Sequence, residues 1–258
     1  MGEPRAHALV SLRRFYVTRE SVDGDRLTFE PEEARHIARV LRLGPGDVVA
    51  AVDGHGLEYS VRLDRVSPHQ AAGAIVGRRQ RSAESPLAIT LAQGIPKSDK
   101  MDTIIRGATE LGVSRIAPLI TRRTVIRLDP AGWRTRATRW QRVAREAAKQ
   151  SGRAVVPVVE PARSIGDFLA ADPGIDLRIC LWELSPTGLV SALERPRQPG
   201  ARITLVIGPE GGLAREEVDL AMASRAMIAG LGSRVLRTET AGLTVVAILQ
   251  YLYGDLGR

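Results

Sequence analysis

The alternation of apolar strands with amphipathic helices that begins at residue 87 constrains the fold most. Leu87–Leu91 is an apolar strand, and the segment after Ser98, which we expect to cap a helix, has apolar side chains three and four apart. Strands that alternate with helices form a mostly parallel sheet covered by helices, so an α/β domain is predicted. Its other elements are predicted as strands over 113–120, 177–182, 203–207 and 227–229 and as helices over 133–150, 214–223 and 240–253.

The first third of the chain has a different pattern, in which short strands and turns surround one helix. Asp23-Gly24 is a hairpin turn before the alternating segment Arg26–Phe29. A helix is predicted to begin near Pro31, with Ile37, Val40 and Leu41 on one face. The domains are therefore predicted as a small β-barrel over 1–77, a polar linker over 78–86 and the α/β domain over 87–258.

The cysteine and histidine content excludes several classes of protein. A single cysteine, Cys180, rules out an internal disulfide framework, and the four histidines show no metal-ligand spacing, so no metal is predicted. The sequence also lacks an apolar run of membrane-spanning length and a secretory signal pattern. A cytoplasmic protein without membrane attachment is expected.

The net charge of +8 is unevenly distributed. Residues 97–153 carry 14 basic and 5 acidic side chains, a surplus of nine, which exceeds the surplus of the whole chain. Such a surface suits a polyanion such as nucleic acid. A basic face without a partner, in a protein that simply favours arginine, is the alternative, and charge alone does not decide between them.

One predicted strand, Ile203–Ile207, is followed directly by Gly-Pro-Glu-Gly-Gly at 208–212. In open α/β sheets, ligands bind beyond the carboxyl ends of the strands, where glycines allow close approach of the backbone. An ordinary tight turn is the alternative, but three glycines and a proline in five residues favour a ligand loop. The pattern is neither a phosphate loop nor a dinucleotide fingerprint, because the required lysine and glycine spacings are missing.

Two stretches together resemble a known family. Ile-Gly-Pro-Glu-Gly-Gly at 207–212 and Leu-Gly-Ser-Arg-Val-Leu-Arg-Thr-Glu-Thr-Ala at 231–241 resemble the cofactor loops of SPOUT-class methyltransferases. Within that class, the similarity is greatest to the bacterial 16S ribosomal RNA (uracil-N3)-methyltransferases. It continues in order along nearly the whole chain, at 13–16, 36–42, 97–101, 110–113 and 150–153.

This resemblance implies a SPOUT fold with a deep trefoil knot, preceded by a PUA-like RNA-binding β-barrel. It implies S-adenosyl-L-methionine as the cofactor, 16S ribosomal RNA or the small ribosomal subunit as the partner, and a homodimer with cofactor pockets at the subunit interface. The implied cofactor contacts are Leu181, Trp182, Glu183, Ile207, Gly208, Pro209, Glu210, Gly211, Gly212, Leu231, Gly232, Leu236, Arg237, Thr238, Glu239 and Ala241.

Methyl transfer to N3 of uridine requires that N3 lose its proton, either to a general base or with help from cations that stabilise the anion. The catalytic candidates are Glu210 and, by resemblance, Arg14, which would reach the target base or its phosphate. We expect Glu210 to order the cofactor loop and Glu239 to favour the start of the last helix, with a direct base role open for each. Thr238 or Thr240 can cap that helix. The RNA face is predicted to combine Arg14, His36, Arg39, Arg42, Lys97, Lys100, Arg122, Arg123 and Arg153.

Two other functions remain open at this point. The same fold serves ribose 2′-O methylation, against which the front barrel and the Arg-Arg-Phe-Tyr start argue. A non-catalytic RNA-binding or ribosome-assembly factor is the other alternative, against which the intact cofactor loops argue. Trp133 and Trp140 stand at helical spacing and are predicted to be core side chains rather than platforms for stacked bases.

Overall fold

The structure is a computed structural model that describes residues 13–80, 84–171, 175–193 and 200–257. The backbone divides into two units, one formed by Met1–Glu84 with Lys149–Val155 and one by Ser85–Ala148 with Val156–Arg258. Residues 1–12 of the predicted barrel and 81–83 of the predicted linker lie outside the described residues.

Six strands in the described part of the first unit form one sheet, in the order β1-β4-β5-β6-β3-β2. β1 runs parallel to β4, and the other neighbours are antiparallel. Register shifts at Ser60/Val61 and Leu63/Arg65 bend the two long strands, which confirms the predicted barrel-like sheet. The strands are β1 (Arg14–Tyr16), β2 (Val22–Asp23), β3 (Arg26–Phe29), β4 (Val48–Val52), β5 (Leu57–Val66) and β6 (Ala71–Gln80).

The helix of this unit begins as predicted but does not keep α-helical spacing. α1 covers Pro31–Arg35 and continues as a π-helical turn over His36–Val40. A π-helical turn holds more residues than an α-helical turn, so side chains after it are rotated relative to an α-helical pattern. Ile37 is buried, but the prediction that Val40 lies on the same face is wrong, since Val40 is 68% exposed.

β6 continues to Gln80 and so occupies residues 78–80 of the predicted linker. Arg78 donates to Asp25 over 2.9 Å, and Arg79 Nε donates to Glu58 Oε1 over 2.8 Å. The prediction of a linker from residue 78 is wrong for these three residues. The strand could not be predicted here because these residues lack apolar alternation. Their side chains form ion pairs instead of packing in an apolar core.

The second unit contains a parallel sheet in the order β10-β8-β7-β12-β11-β13, with β9 also paired to β8. Every pairing in this sheet is parallel, as the sequence predicts. The described strands are β7 (Ala88–Gly94), β8 (Arg115–Ile120), β9 (Val158–Val159), β10 (Arg163–Ser164), β11 (Leu177–Leu181), β12 (Arg202–Ile207) and β13 (Met227–Ala229).

Helices cover this sheet, and their buried faces follow the predicted spacing. Trp133 and Trp140 are 6% and 1% exposed, which confirms that they are core side chains. The first of these helices begins at Lys100 with Asp99 as its N-cap, so the prediction that Ser98 caps it is wrong. The helices are α2 (Lys100–Glu110), α3 (Pro130–Ser151), α4 (Ile165–Ala170), α5 (Leu189–Leu193), α6 (Arg215–Ala223) and α7 (Thr238–Tyr253).

The strand order brings three loops to one edge of the sheet. β12 lies between β7 and β11, and β13 lies on the other side of β11. The chain then returns from β13 to α7, where an added Cβ at Gly242 would lie within 3.4 Å of Leu91 and Ile207. The SPOUT-type trefoil knot implied by the resemblance stays a prediction.

Candidate active site

A cavity of about 430 Å³ opens at the carboxyl ends of β11, β12 and β13. The carboxyl edge of a parallel sheet is where α/β proteins bind ligands, and the volume is within the range of small-molecule sites. The cavity is lined by Lys100, Leu181, Trp182, Glu183, Ile207, Gly208, Pro209, Glu210, Gly211, Gly212, Ala229, Gly230, Leu231, Gly232, Arg234, Val235, Leu236, Arg237, Thr238 and Ala241.

The structure brings together fifteen of the sixteen cofactor contacts implied by the resemblance. The exception is Glu239, whose Oε2 lies 3.5 Å from Nζ of the lining residue Lys100. Arg234, Val235, Ala229 and Gly230 line the same cavity although sequence reasoning did not select them. These four residues belong to the 231–241 motif or lie directly before it, so they could have been selected from their position relative to that motif.

Two glycines of the Gly-Pro-Glu-Gly-Gly loop are required by the backbone. An added Cβ at Gly208 would lie 2.7 Å from the carbonyl carbon of Gly212, so a side chain there would collide with the turn. Gly212 has a φ of +72°, and its Cβ would lie 2.6 Å from a carboxylate oxygen of Glu183. The loop thus keeps its backbone uncovered at the cavity wall, as a ligand loop needs.

A buried chain of hydrogen bonds joins three elements beneath this loop. The Gln93 amide at the end of β7 donates to Thr238 Oγ1 over 2.8 Å, and Thr238 Oγ1 donates to the Gly208 carbonyl over 2.6 Å. Gln93 and Thr238 are both buried. Because each hydroxyl donates once, this chain has one direction and connects the two cofactor loops.

Sequence reasoning assigned Thr238 to the cofactor and to a helix cap, and it missed Gln93. The N-cap of α7 is Arg237, without a side-chain cap, so the Thr238 hydroxyl serves the loop after β12 instead. Gln93 carries no motif, but a polar residue at the carboxyl end of an apolar strand was an available signal.

Lys100 lies between two carboxylates at the cavity wall. Its Nζ is 3.1 Å from Glu210 Oε1 and 3.5 Å from Glu239 Oε2. The Glu210 carboxylate also accepts the Lys97 backbone N–H at 3.1 and 3.2 Å. One lysine therefore links α2, the loop after β12 and the first turn of α7.

This arrangement shifts the pKa of both main partners toward the charged form. Burial raises the pKa of Glu210, but hydrogen bonds from its own backbone N–H, from Lys100 and from the Lys97 N–H outweigh it and lower the pKa. The hydrogen bond with Glu210 raises the pKa of Lys100, and the charges of Glu210 and Glu239 add to this. A carboxylate held ionised in this way is a weak base, which fits the loop-ordering role expected of Glu210.

The loop after β8 contacts the glycine-rich loop and the start of α6 through two residues predicted to bind RNA. Arg123 Nη1 donates to the Gly211 carbonyl, and Arg122 Nη1 lies 3.0 Å from Glu216 Oε1. The buried Glu217 accepts the backbone N–H groups of Arg122 at 2.8 Å and Ala214 at 2.9 Å. Both arginines are exposed, and Arg123 contacts Gly211, which lines the cavity. Lys97 is exposed as well.

Three predicted RNA contacts of the first unit lie together on and after its π-helical turn. Arg39 and Arg42 are exposed, and Arg42 has a left-handed φ of +54°. His36 is half-buried, with its ring edge-on to Phe15 at 5.9 Å. The turn therefore presents two arginine side chains to solvent.

The other two predicted RNA contacts of this unit are engaged in ion pairs. Arg14 Nε lies 3.4 Å from Glu58 Oε2, with the glutamate buried. Arg153 is itself buried and donates from Nη2 to Glu84 Oε2 over 2.6 Å. The structure thus places the Arg153 guanidinium inside the unit and not on its surface.

Other kinds of site find no support in the described part of the chain. No group of three or more His, Cys, Asp or Glu side chains there has an arrangement that could hold a metal ion. Burial, with the charges of Glu217 and Glu183, raises the pKa of Cys180 to about 12, so its thiol is not a nucleophile. No described helix has both the length and the apolar character needed to cross a membrane.

Comparison with known proteins agrees with this geometry. The family model described as RNA methyltransferase domain matches residues 83–250, and the model described as RNA methyltransferase PUA domain matches residues 29–76. The chain is similar to the ribosomal RNA small subunit methyltransferase E of Bacillus subtilis, with 30% identity over 93% of this chain and 96% of that protein. For the protein of the same name from Synechocystis, the identity is 33%, over 97% and 81%.

Solved structures show the same similarity. The ribosomal RNA small subunit methyltransferase E of Neisseria gonorrhoeae, solved bound to S-adenosyl methionine, is 32% identical with a TM-score of 0.85 over 95% of this chain and 99% of that chain. A Legionella pneumophila protein, solved with the bound cofactor SAM, is 32% identical with a TM-score of 0.87 over 96% and 100%. The chain therefore belongs to the RNA methyltransferase family and carries that family's PUA domain.

Proposed function

We propose that this protein transfers the methyl group of S-adenosyl-L-methionine to N3 of a uridine in 16S ribosomal RNA. The observation that carries this proposal is a cavity at which the loops after β11, β12 and β13 meet, lined by fifteen of the sixteen residues that the resemblance implies for the cofactor. Solved relatives above 30% identity hold that cofactor.

The residues at the cavity fit S-adenosyl-L-methionine. This cofactor supplies an electrophilic methyl group on a positively charged sulfur. Leu181, Ile207 and Leu236 provide apolar wall, and Glu183 and Glu210 provide negative charge for a cationic ligand. Gly208 and Gly212 leave the wall open to close approach. The chain thus supplies binding and orientation, which account for much of the rate in an in-line displacement.

The RNA is proposed to be held by exposed cationic side chains of the loop after β8 and by those of the first unit. Arg39, Arg42, Arg122 and Arg123 are exposed and are the contacts we assign with most support from the structure. Most such contacts reach phosphates and fix position, while the target base is read locally.

A homodimer with the cavity at its interface is part of this proposal. Val235 lines the cavity and is 81% exposed, and Tyr251 on α7 is 71% exposed. A second copy that covered these side chains would remove apolar surface from water. Light scattering on the purified protein measures the mass, and a monomer at assay concentration would contradict this part of the proposal.

The test of function is transfer from labelled S-adenosyl-L-methionine to small ribosomal subunits and to naked 16S RNA, followed by nucleoside analysis. Label in 3-methyluridine is the expected result. Label in a 2′-O-methyl nucleoside would replace the N3 assignment with ribose methylation. Binding of neither cofactor nor RNA would overturn the proposal as a whole.

A further inference from the structure

The start of α2 contributes a charged group to the cavity that the resemblance does not assign to the cofactor. Lys100 lines the cavity with its side chain 36% exposed. Its two carboxylate partners come from other elements, Glu210 from the loop after β12 and Glu239 from α7. Contacts from two sides hold the ammonium in place, which a flexible surface lysine would lack.

The hydrogen-bonding capacity of Lys100 is not exhausted by these partners. A lysine ammonium has three N–H donors and no acceptor. Two of them are directed at Glu210, 3.1 Å away, and Glu239, 3.5 Å away. One donor remains for a group inside the cavity. Since the carboxylates are also held by the Lys97 N–H and the start of α7, the ammonium cannot readily turn away.

The proposed reaction needs positive charge near the target base. Uridine N3 carries a proton at neutral pH, and its loss leaves an anion whose charge is shared with the two carbonyl oxygens of the ring. A fixed cation beside such an oxygen stabilises the anion and costs no reorganisation during the reaction. The cavity wall offers Lys100 for this task together with Arg234 and Arg237.

We propose that Lys100 is a catalytic residue whose ammonium contacts a carbonyl oxygen of the target uracil and stabilises the N3 anion. The N3 proton leaves to solvent water or hydroxide. The freed N3 electron pair then forms the N–C bond to the methyl group, while the C–S bond breaks and its pair stays on sulfur. This inference rests on the proposed function and moves Lys100 from the RNA backbone to the reacting base.

The charged groups that face Lys100 keep it protonated throughout the reaction. They are Glu210 and Glu239, and Arg237 Nη1 lies 3.9 Å from the far oxygen of Glu239. The hydrogen bond with Glu210 raises the pKa of Lys100, so the lysine itself does not titrate between pH 6 and 9. A change of rate with pH in this range therefore reports on the uridine.

The test is the pH–rate profile of Lys100→Met with saturating cofactor, compared with the matched control Arg106→Met. Arg106 is an exposed cation on the same helix, about 240° around its axis from Lys100. We expect Lys100→Met to lose about 10²-fold in rate at pH 7. Below the pKa of the bound uridine, the rate rises about tenfold per pH unit. A 10²-fold lower rate at pH 7 therefore corresponds to a pH–rate profile displaced by about two units toward higher pH. Affinity for S-adenosyl-L-methionine, measured by calorimetry, is expected to change less than about threefold.

Chemical rescue separates the charge from the shape of the side chain. A Lys100→Cys variant treated with 2-bromoethylamine regains an ammonium on a thioether stem. Cys180 is buried with a pKa of about 12, so it does not compete for the reagent. Rescue is expected to restore most of the rate at pH 7, and mass spectrometry verifies the single modification.

The outcomes distinguish this inference from the function on which it rests. A loss of rate that leaves the pH at which the profile levels off unchanged, full activity of Lys100→Met, or no recovery after verified modification would overturn the role of Lys100 alone. A wild-type protein that binds the cofactor but makes no 3-methyluridine would overturn the proposed function and this inference with it. Arg106→Met is expected to match the wild type at every pH.

Discussion

At the scale of single residues, hydrogen bonds and ion pairs hold the polar side chains around the cavity in place. Glu210 is the carboxylate that sequence reasoning connected with base catalysis, yet it accepts the Lys97 backbone N–H and contacts the Lys100 ammonium. Thr238 was expected at a helix end and instead bridges Gln93 and Gly208. The contacts of Glu210 fit the loop-ordering role expected of it, whereas those of Thr238 differ from the expected ones, because its partners come from distant parts of the chain.

The lowered pKa of Glu210 predicts a pH dependence of stability. A carboxyl group whose pKa is lower in the folded state stabilises the protein above its ordinary pKa of 4.5, and this contribution is lost as pH falls through the lowered pKa. We expect the free energy of unfolding of Glu210→Gln to lie below that of the wild type by a constant amount above pH 5. The difference should shrink below pH 4.5. Urea denaturation across pH 3–7 measures it, and a difference that grows in acid would contradict the assignment.

The Gln93–Thr238–Gly208 chain predicts coupling between two buried residues. Thr238→Val removes two hydrogen bonds and leaves the Gln93 amide with only the Gly94 carbonyl at 3.0 Å and the Gly208 carbonyl at 3.4 Å. This loss should cost about 1–3 kcal/mol of stability. Gln93→Met combined with Thr238→Val should cost less than the sum of the single changes, because the two act on one chain. Denaturant unfolding of all four proteins measures the cycle.

Thr244→Val is the matched control for this cycle. Thr244 lies further along the same helix, is half-buried, and donates to the Thr240 carbonyl over 2.9 Å. We expect it to change stability by less than about 0.5 kcal/mol. Additive effects of the Gln93 and Thr238 changes would show that they do not form one chain.

At the scale of elements, the site depends on short connections between well-formed strands and helices. The loop after β12 covers the seven residues 208–214 before α6, and the loop after β13 covers the eight residues 230–237 before α7. The buried strands hold the ends of these loops, so small changes inside the loops act on the cavity directly. Glycines in two of the loops make this testable.

Alanine substitutions at Gly212 and Gly232 would both strain the backbone, but only the substitution at Gly212 would also place a Cβ against another side chain. Both have a positive φ, +72° and +92°, which an alanine adopts at some cost. The Cβ of Gly212→Ala would meet Glu183 at 2.6 Å, whereas that of Gly232→Ala meets nothing within 4 Å. We expect Gly212→Ala to weaken affinity for S-adenosyl-L-methionine at least about tenfold more than Gly232→Ala. Calorimetry measures both, and equal losses would show that Glu183 moves aside freely.

At the scale of the whole molecule, charge decides the interaction with RNA. The basic surplus of residues 97–153 exceeds that of the entire chain. Some of these cations are already neutralised, as Arg139 is by Asp102 at 2.6 Å and Arg153 by Glu84 at 2.6 Å. The exposed cations without such partners determine how binding responds to salt.

We expect the logarithm of the RNA association constant to fall linearly with the logarithm of salt concentration. Arg39→Gln should reduce that slope by about one and leave stability unchanged, because Arg39 is exposed. Arg153→Gln should instead lower stability by about 2 kcal/mol, because it leaves Glu84 without its guanidinium partner. Filter binding at several salt concentrations, with thermal unfolding of each variant, checks both. A slope near zero for the wild type would refute the electrostatic picture.

Local patterns in the sequence determined most elements of this protein and the loops of its site. Apolar spacing located α2, α3 and the parallel strands, and the ordered motifs selected fifteen of the residues that line the cavity. These features could be predicted because periodicity and turn chemistry act over a few residues. The same reasoning failed at Val40, where a π-helical turn changes the period, and at residues 78–80, where ion pairs replace apolar alternation.

Only the tertiary structure decided what the polar side chains do. Lys100 and Glu210 are 110 positions apart in sequence, and Gln93 and Thr238 are 145 apart, yet each pair is within 3.1 Å. No local pattern contains such pairs, because parallel strand order, and not sequence distance, brings the ends of β7, β12 and α7 together. The sequence determined which elements form and where a ligand loop lies. The packing of those elements decided which side chains form ion pairs and hydrogen bonds with one another.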